Sequence, residues 1–430
     1  MHESTRLSDN QRRFVFRIVF LILCAMPTAV TIYSLFHRNG PDHWQNLVRA
    51  ELGFPVQISS VETPVPFTTV LRGVRVPNSV IHSPAESGTD LLIDEIRIKM
   101  GERQNIVTIL QPLELPANGL SQLISRCNNH LEQVAIGRKM WQFALAKVVL
   151  TDHEQSRTDL AVPPVVLQQV AIQAWHENIE GIASLQCKLS AAVDPIGESV
   201  GAKLKMALQK FPQGDRLSLW TENGSVPARL LRFWQPESNW LGNGCRFSGR
   251  IEIAKTDNLN ATVKGELQAV ELDRLAEPYS LALRGTCDVS DIACQIDDNQ
   301  ITSATMRIHS SQQLSVGRSL LTAFKQLGIQ TRPLTQHGDQ PFPNIDLWVG
   351  IQMGRLLFSG SNGSVISSDA NGNALATVHN ADVSVYDLAS ILIGDPFGKF
   401  SNESIAFLKQ FRAPQPERSA RQPQDSNRHY

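Results

Sequence analysis

Four aspartates in one short stretch, Asp288, Asp291, Asp297 and Asp298, are the densest set of hard oxygen donors in the chain. Calcium is the ion that such a set would hold. Their spacing lacks the alternate-position ligand pattern with its glycine and distal glutamate, so solvated turn aspartates account for them better. The eleven histidines are scattered, and none stands at a spacing that implies a metal. There is no H-E-x-x-H, no G-x-S-x-G elbow and no Walker-type phosphate loop. No residue is assigned to catalysis, and no cofactor is called for.

Six cysteines are present. Cys24 lies in a long apolar stretch; the others are Cys127, Cys187, Cys245, Cys287 and Cys294. Cys287 and Cys294, close in sequence, could close a small loop between neighbouring strands. Buried thiols serving as small apolar side chains are the alternative. Phe233, Trp234 and Trp240 cluster in a loop-like stretch, which fits either a sugar- or membrane-touching loop or aromatics folded over a sheet edge. Asn223, Asn260, Asn362 and Asn402 each begin an N-x-S/T triplet. Lys plus Arg (40) balances Asp plus Glu (41), so nothing draws the chain towards nucleic acid.

The elements that would position these residues begin with Ile18 to Phe36, an uncharged run that Phe14, Val15 and Phe16 extend. As a helix it spans about 28 Å, close to the thickness of a bilayer core. Arg6, Arg12, Arg13 and Arg17 precede it, which predicts a cytoplasmic N-terminus (1–13), an anchor at 14–36 and a body on the far side. An uncleaved single-pass anchor fits better than a signal peptide, because no A-x-A-like site follows a short apolar core.

Pro41 to Leu52 reads as a short helix with Trp44, Leu47, Val48 and Leu52 on one face. Beyond it, period-two alternation recurs: Val56 and Ile58, Val74 and Val76, Ile96 to Met100, Ala202 to Leu208. It continues in Phe247 to Ile253, Ala261 to Ala269 and Ile345 to Met353. Helical spacing is confined to Leu120–Val134, Val316–Leu327 and two shorter stretches, Asp387–Leu392 and Ser401–Phe411. The predicted fold is mainly β: an elongated, mostly antiparallel sheet body, groove or sandwich, with a few packing helices. The predicted divisions are a main β-rich domain (37–328), a turn-rich linker (329–343), a C-terminal β/α segment that continues the body (344–412) and a disordered tail (413–430).

Two phrases carry a resemblance. Leu52-Gly53-Phe54-Pro55-Val56-Gln57-Ile58-Ser59-Ser60-Val61 and Leu71-Arg72-Gly73-Val74-Arg75-Val76 follow the anchor and short helix in the order seen at the start of AsmA-like proteins. Phe247 to Leu275 is similar to that family's later strands. The resemblance covers about a third of the chain and consists of strand patterns. It implies an inner-membrane anchor, a β-rich periplasmic body and a groove that carries phospholipid between membranes. On alternation, the first residues to consider for such a groove are Val74, Val76, Ile251, Ile253, Val263 and Leu267. The same residues would equally line an ordinary sandwich core. The implied partners are membrane lipid and envelope proteins. The alternative function is a non-enzymatic envelope scaffold whose core is fully packed.

Overall fold

The structure, a computed structural model, describes residues 40–52, 54–65, 67–81, 90–116, 140–151, 164–179, 182–193, 201–211, 213–233, 241–277, 281–310, 312–326, 328–332, 339–352, 354–360, 363–378 and 381–384. The predicted anchor at 14–36, the helices at 120–134, 387–392 and 401–411, and the tail lie outside these residues. Among the described residues no helix is long and apolar enough to cross a membrane. The chain is mainly β, with few and short helices. It divides into two compact units at Lys147/Val148.

In the first unit, helix α1 (Pro41–Leu52) starts on a proline that needs no intrahelical donor, with Asp42 in its first turn and Arg49 in its last. Trp44 on its inner face is buried. Six strands follow: β1 (Gln57–Val65), β2 (Thr68–Val76), β3 (Leu91–Met100), β4 (Gln104–Ile109), β5 (Leu113–Pro116) and β6 (Met140–Thr151). The unit boundary falls within β6. β1 to β4 pair antiparallel with their neighbours, whereas β4 and β6 run parallel. Ile58, Val74 and Ile93 stand directly opposite one another across β1, β2 and β3, and all three are buried. Alternation thus turns one side of this sheet dry.

The second unit is built on a meander. Its long strands are β7 (Val165–Ile179), β8 (Ile182–Val193), β9 (Lys203–Phe211) and β10 (Gly214–Glu222). The short β11 (Val226–Pro227) comes next, then β12 (Arg246–Lys255) and β13 (Leu259–Glu271). After β14 (Leu283–Arg284) come β15 (Thr286–Asp297), β16 (Gln300–Ser310) and β17 (Leu314–Val316). The chain goes on through β18 (Ile329–Thr331), β19 (Gln340–Phe342), β20 (Ile345–Gln352) and β21 (Arg355–Gly360). β22 (Val365–Ser368), β23 (Ala374–Val378) and β24 (Ala381–Ser384) complete it.

Each long strand pairs antiparallel with the next, in the order β7, β8, β9, β10, β12, β13, β15, β16, β20, β21, β24. The remaining strands are excursions from this ladder. β14, β17 and β19 form one small sheet, and β18, β23 and β22 form another. Helix α2 (Arg318–Gln326) lies between β17 and β18, shorter than the spacing Val316–Leu327 predicts.

The two ends of the predicted linker, 329–343, are among the described residues. They are strands, β18 and β19, and Gln340–Phe342 pairs with Leu314–Val316. Val316 and Leu320 before it share a core with Phe342, Val349, Phe358 and Leu375 after it. Residues on both sides of 329–343 therefore belong to one unit, and the chain divides at 147/148. The polar, turn-forming composition of the stretch hides two three-residue strands, too short for alternation to register.

Candidate functional site

The side chains of the second unit's meander form ribs that run across the strands. One rib is Leu189, Met206, Leu219, Ile251, Val263, Cys294, Ala304, Ile351 and Leu356, each opposite the next in the ladder. A second joins Cys187, Leu208, Leu217, Ile253, Ala261, Ile296 and Ile301. A third joins Phe247, Leu267, Val289, Ile308 and Leu347. Opposed positions in a ladder share a face, so these ribs make one continuous apolar surface.

Burial on this surface is graded. Cys245, Val270 and Cys287, next to the third rib, are almost completely inaccessible, and Phe247 is 2% exposed. At the other end, Leu208, Leu217, Ile253 and Ile296 keep part of their surface in water. Ile251, Val263 and Leu267 between them are also only partly covered. Towards β20 and β21 the same face is covered again: Val349, Leu356 and Phe358 pack with Leu320 of α2 and Ile366 and Leu375 of β22 and β23.

Of the six residues singled out on alternation, the structure brings four together. Ile251 stands opposite Val263, Ile253 opposite Ala261, and Leu267 opposite Phe247 on the same pair of strands. Val74 and Val76 belong to β2 in the first unit and are core residues there, 3% and 6% exposed. Sequence reasoning missed Leu217 and Leu219 of β10, although their alternation with Arg216 and Ser218 was there to be read.

The ribs stay continuous because local irregularities absorb what strict pairing cannot. Register shifts occur in β7 after Gln168, in β13 after Gly265 and Leu267, and in β15 after Ser290. Gln169, Ala269 and Asp291 sit beside these shifts with positive φ. Such bulges place two residues against one and restore the alternation beyond. At Ala269 the displaced N–H donates to Asp288 Oδ1 at 2.8 Å, which keeps the bulge satisfied.

Asp288 therefore has a structural duty. Asp298 and Asn299 form the two-residue β15–β16 turn, both with positive φ, as a type I′ hairpin requires. Asn258 and Asn260 of the adjacent hairpin bond to this turn at 3.2 and 3.0 Å. Asp297 accepts hydrogen bonds from Gln295 and Thr302. Among the described residues no cluster of three metal-ligating side chains exists.

The proposed Cys287–Cys294 bridge is also corrected. Both residues lie on β15, seven positions along one extended strand, so their Cα atoms stand roughly 20 Å apart. A disulfide needs them within about 7 Å. Cys187, Cys245, Cys287 and Cys294 are all free thiols. Burial pushes the Cys187 thiol up to about 11. Burial, then Cys287, Glu271 and Asp288, push Cys245 up to about 12. Cys287 rises to about 11 through burial and then Asp288.

These raised values carry a sign. The folded state holds its thiols protonated, so this contribution to stability is full below pH 9 and lost as pH rises towards 11 to 12. At pH 8, Cys187 and Cys287 are expected to react with an aromatic disulfide reagent ~100-fold more slowly in the native chain than in urea, following their thiolate fraction. Peptide mapping of the labelled sites checks this. Comparable native and unfolded rates would show that the thiols are open.

The opposite face is polar. Lys205, Trp220, Arg250 and Lys264 stand in one row. Lys205 donates to Glu222 at 2.6 Å and holds that carboxyl below its usual range. The Arg250 guanidinium lies 5.9 Å from the Trp220 ring centre and pairs with Glu252 at 2.5 Å. Of the aromatic cluster, Trp234 and Trp240 fall outside the described residues, while Phe233 ends a short 3-10 helix, Ala228–Phe233. No protein-family model, no curated protein and no solved structure matches the chain.

Proposed function

We propose that the half-covered apolar face of the second unit holds phospholipid acyl chains, in an AsmA-like protein anchored in the inner membrane with its body in the periplasm. One observation carries the reading: Ile251, Ile253, Val263 and Leu267 form a contiguous apolar patch that the chain itself leaves partly in water. Apolar surface exposed to water costs about 25 cal/mol per Å2, and an acyl chain laid across the ribs would recover it. Ribs that cross many strands suit an extended hydrocarbon better than a compact ligand. Support for a membrane location comes from the uncharged run at 18–36 and the arginines before it. No residue here is given a catalytic role, and the partner is membrane lipid, with other envelope proteins as further candidates.

The test places a photoreactive benzoylphenylalanine at Val263, or at Ile251, in the full chain within cells labelled with radioactive phosphate. Crosslinked phospholipid is expected at both positions and is expected to be absent at Val74, in the dry core of the first unit, and at Lys264, on the polar face. Labelling at all four positions, or at none, would remove the acyl-chain reading. The envelope-scaffold reading is favoured by the dry end around Phe247 and Cys245, where the face is closed by the chain's own residues. A crosslink from Val263 to protein and not lipid would put that reading first.

A further inference from the structure

A depression of about 450 Å3 lies across β9, β10, β12 and β13. Its lining joins Gln209, Arg216, Ser218, Asn260 and Thr262 to Leu217, Ile253, Ala261 and Ile296 of the second rib, so it reaches the Ile253 end of the proposed acyl-chain surface. One row across it is Ala207, Ser218, Glu252 and Thr262, small at every position but Glu252. Its volume is within the range of small-molecule sites.

The hydrogen-bonding capacity around it is unevenly spent. The two carboxylates are occupied: Glu252 pairs with Arg250 at 2.5 Å, and Asp297 accepts from Gln295 and Thr302, each at 3.0 Å. Arg216 has no carboxylate partner among the described residues; its guanidinium lies 5.8 Å from the Phe211 ring centre. Gln209, Ser218 and Thr262 have no hydrogen-bond partner among the described residues, and the Asn260 amide uses only its oxygen. One unmatched cation, a free amide, two hydroxyls and the Asn260 amino group thus converge on a single concavity. Guanidinium forks match carboxylate and phosphate, while amides and hydroxyls match sugar hydroxyls.

We propose that this depression is a binding site for an anionic sugar, a hydroxyl-rich ring bearing one carboxylate or phosphate. Arg216 takes the anionic group, and Gln209, Asn260 and Thr262 take ring hydroxyls. The site shares Ile253 with the proposed acyl-chain surface but takes its ligand through polar groups outside the ribs, so sugar binding in solution and lipid crosslinking at Val263 and Ile251 succeed or fail separately.

Calorimetry on the full chain tests it with three probes: glucuronic acid, glucose 6-phosphate and glucose. Saturable binding of at least one anionic sugar is expected, with glucose at least about tenfold weaker, as the loss of one charge-assisted contact implies. Which anion binds separates a carboxylate source from a phosphate source. Arg216→Gln, at an exposed position, should weaken binding at least about tenfold without moving the unfolding temperature, and Arg216→Lys should restore part of it. Thr262→Val should give a smaller loss. The proposal is overturned if neither anionic sugar saturates, if glucose binds equally well, or if Arg216→Gln leaves affinity unchanged.

Discussion

Replacing Gly249 or Gly265 with valine is expected to remove folded protein. The two glycines face each other across β12 and β13 with φ of 147° and 149°, where L side chains rarely sit. A Cβ on Gly249 would overlap the Lys264 carbonyl oxygen and stand 2.6 Å from the Gly265 Cα; one on Gly265 would overlap the Ser248 carbonyl. Neither obstacle can move, because both are backbone. Steric strain of this kind costs about 1–3 kcal/mol, and forced overlap of packed groups costs about as much again. At least about 3 kcal/mol is a large share of the 5–15 kcal/mol that holds a typical protein together. Gly201 is the control: it has φ +74° but nothing within 4 Å, so Gly201→Ala should cost only about 1–2 kcal/mol. Thermal unfolding of the three variants checks the order. A Gly249→Val chain that melts like Gly201→Ala would refute the close approach.

The second large effect is a contrast along the apolar face. Phe247→Ala should cost about 3–5 kcal/mol, because Phe247 is 2% exposed beside Cys245 and Val270. Ile253→Ala, six positions along the same strand, should cost about 1 kcal/mol, because its side chain already meets water. Bound lipid changes the second value and not the first. Phospholipid that covers the Ile253 end stabilises the native state by mass action, and Ile253→Ala should reduce that gain. Equal costs at the two positions, measured by denaturant unfolding with and without added phospholipid, would mean that the face is dry throughout. The acyl-chain reading would then lose its main support.

Much of the fold could be read in the sequence. Helix α1 covers the residues that Pro41 and the Trp44, Leu47, Val48 spacing indicate, and the strand faces at Ile58, Val74, Ile251 and Val263 follow their alternation. Reading broke down where alternation itself is broken. In β13 the odd-numbered residues are apolar up to Leu267, which carries the eye on to Ala269; the bulge there turns Ala269 outward and makes Val270 the buried position. In β15 the apolar set passes from Cys287 and Val289 to Ile292, Cys294 and Ile296 across Asp291. A bulge is specified by partners in neighbouring strands, such as Asp288 beneath the Ala269 N–H, and those partners are distant in sequence. The depression was invisible for the same reason. Gln209, Arg216, Asn260 and Thr262 meet only once β9, β10, β12 and β13 are in register.

The strand order of the second unit also bears on how the chain acquires its shape. Every long strand from β7 to β24 pairs with the next long strand, so nearly all sheet pairing closes over a short stretch of sequence. Short closures are entropically cheap, and low contact order speeds folding. The array can therefore grow one hairpin at a time from the end that emerges first, each new strand using the previous edge as a template. The longest wait in the ladder is at β16, whose Ser303 pairs with Gln352 of β20 only after the excursion through β17, α2, β18 and β19.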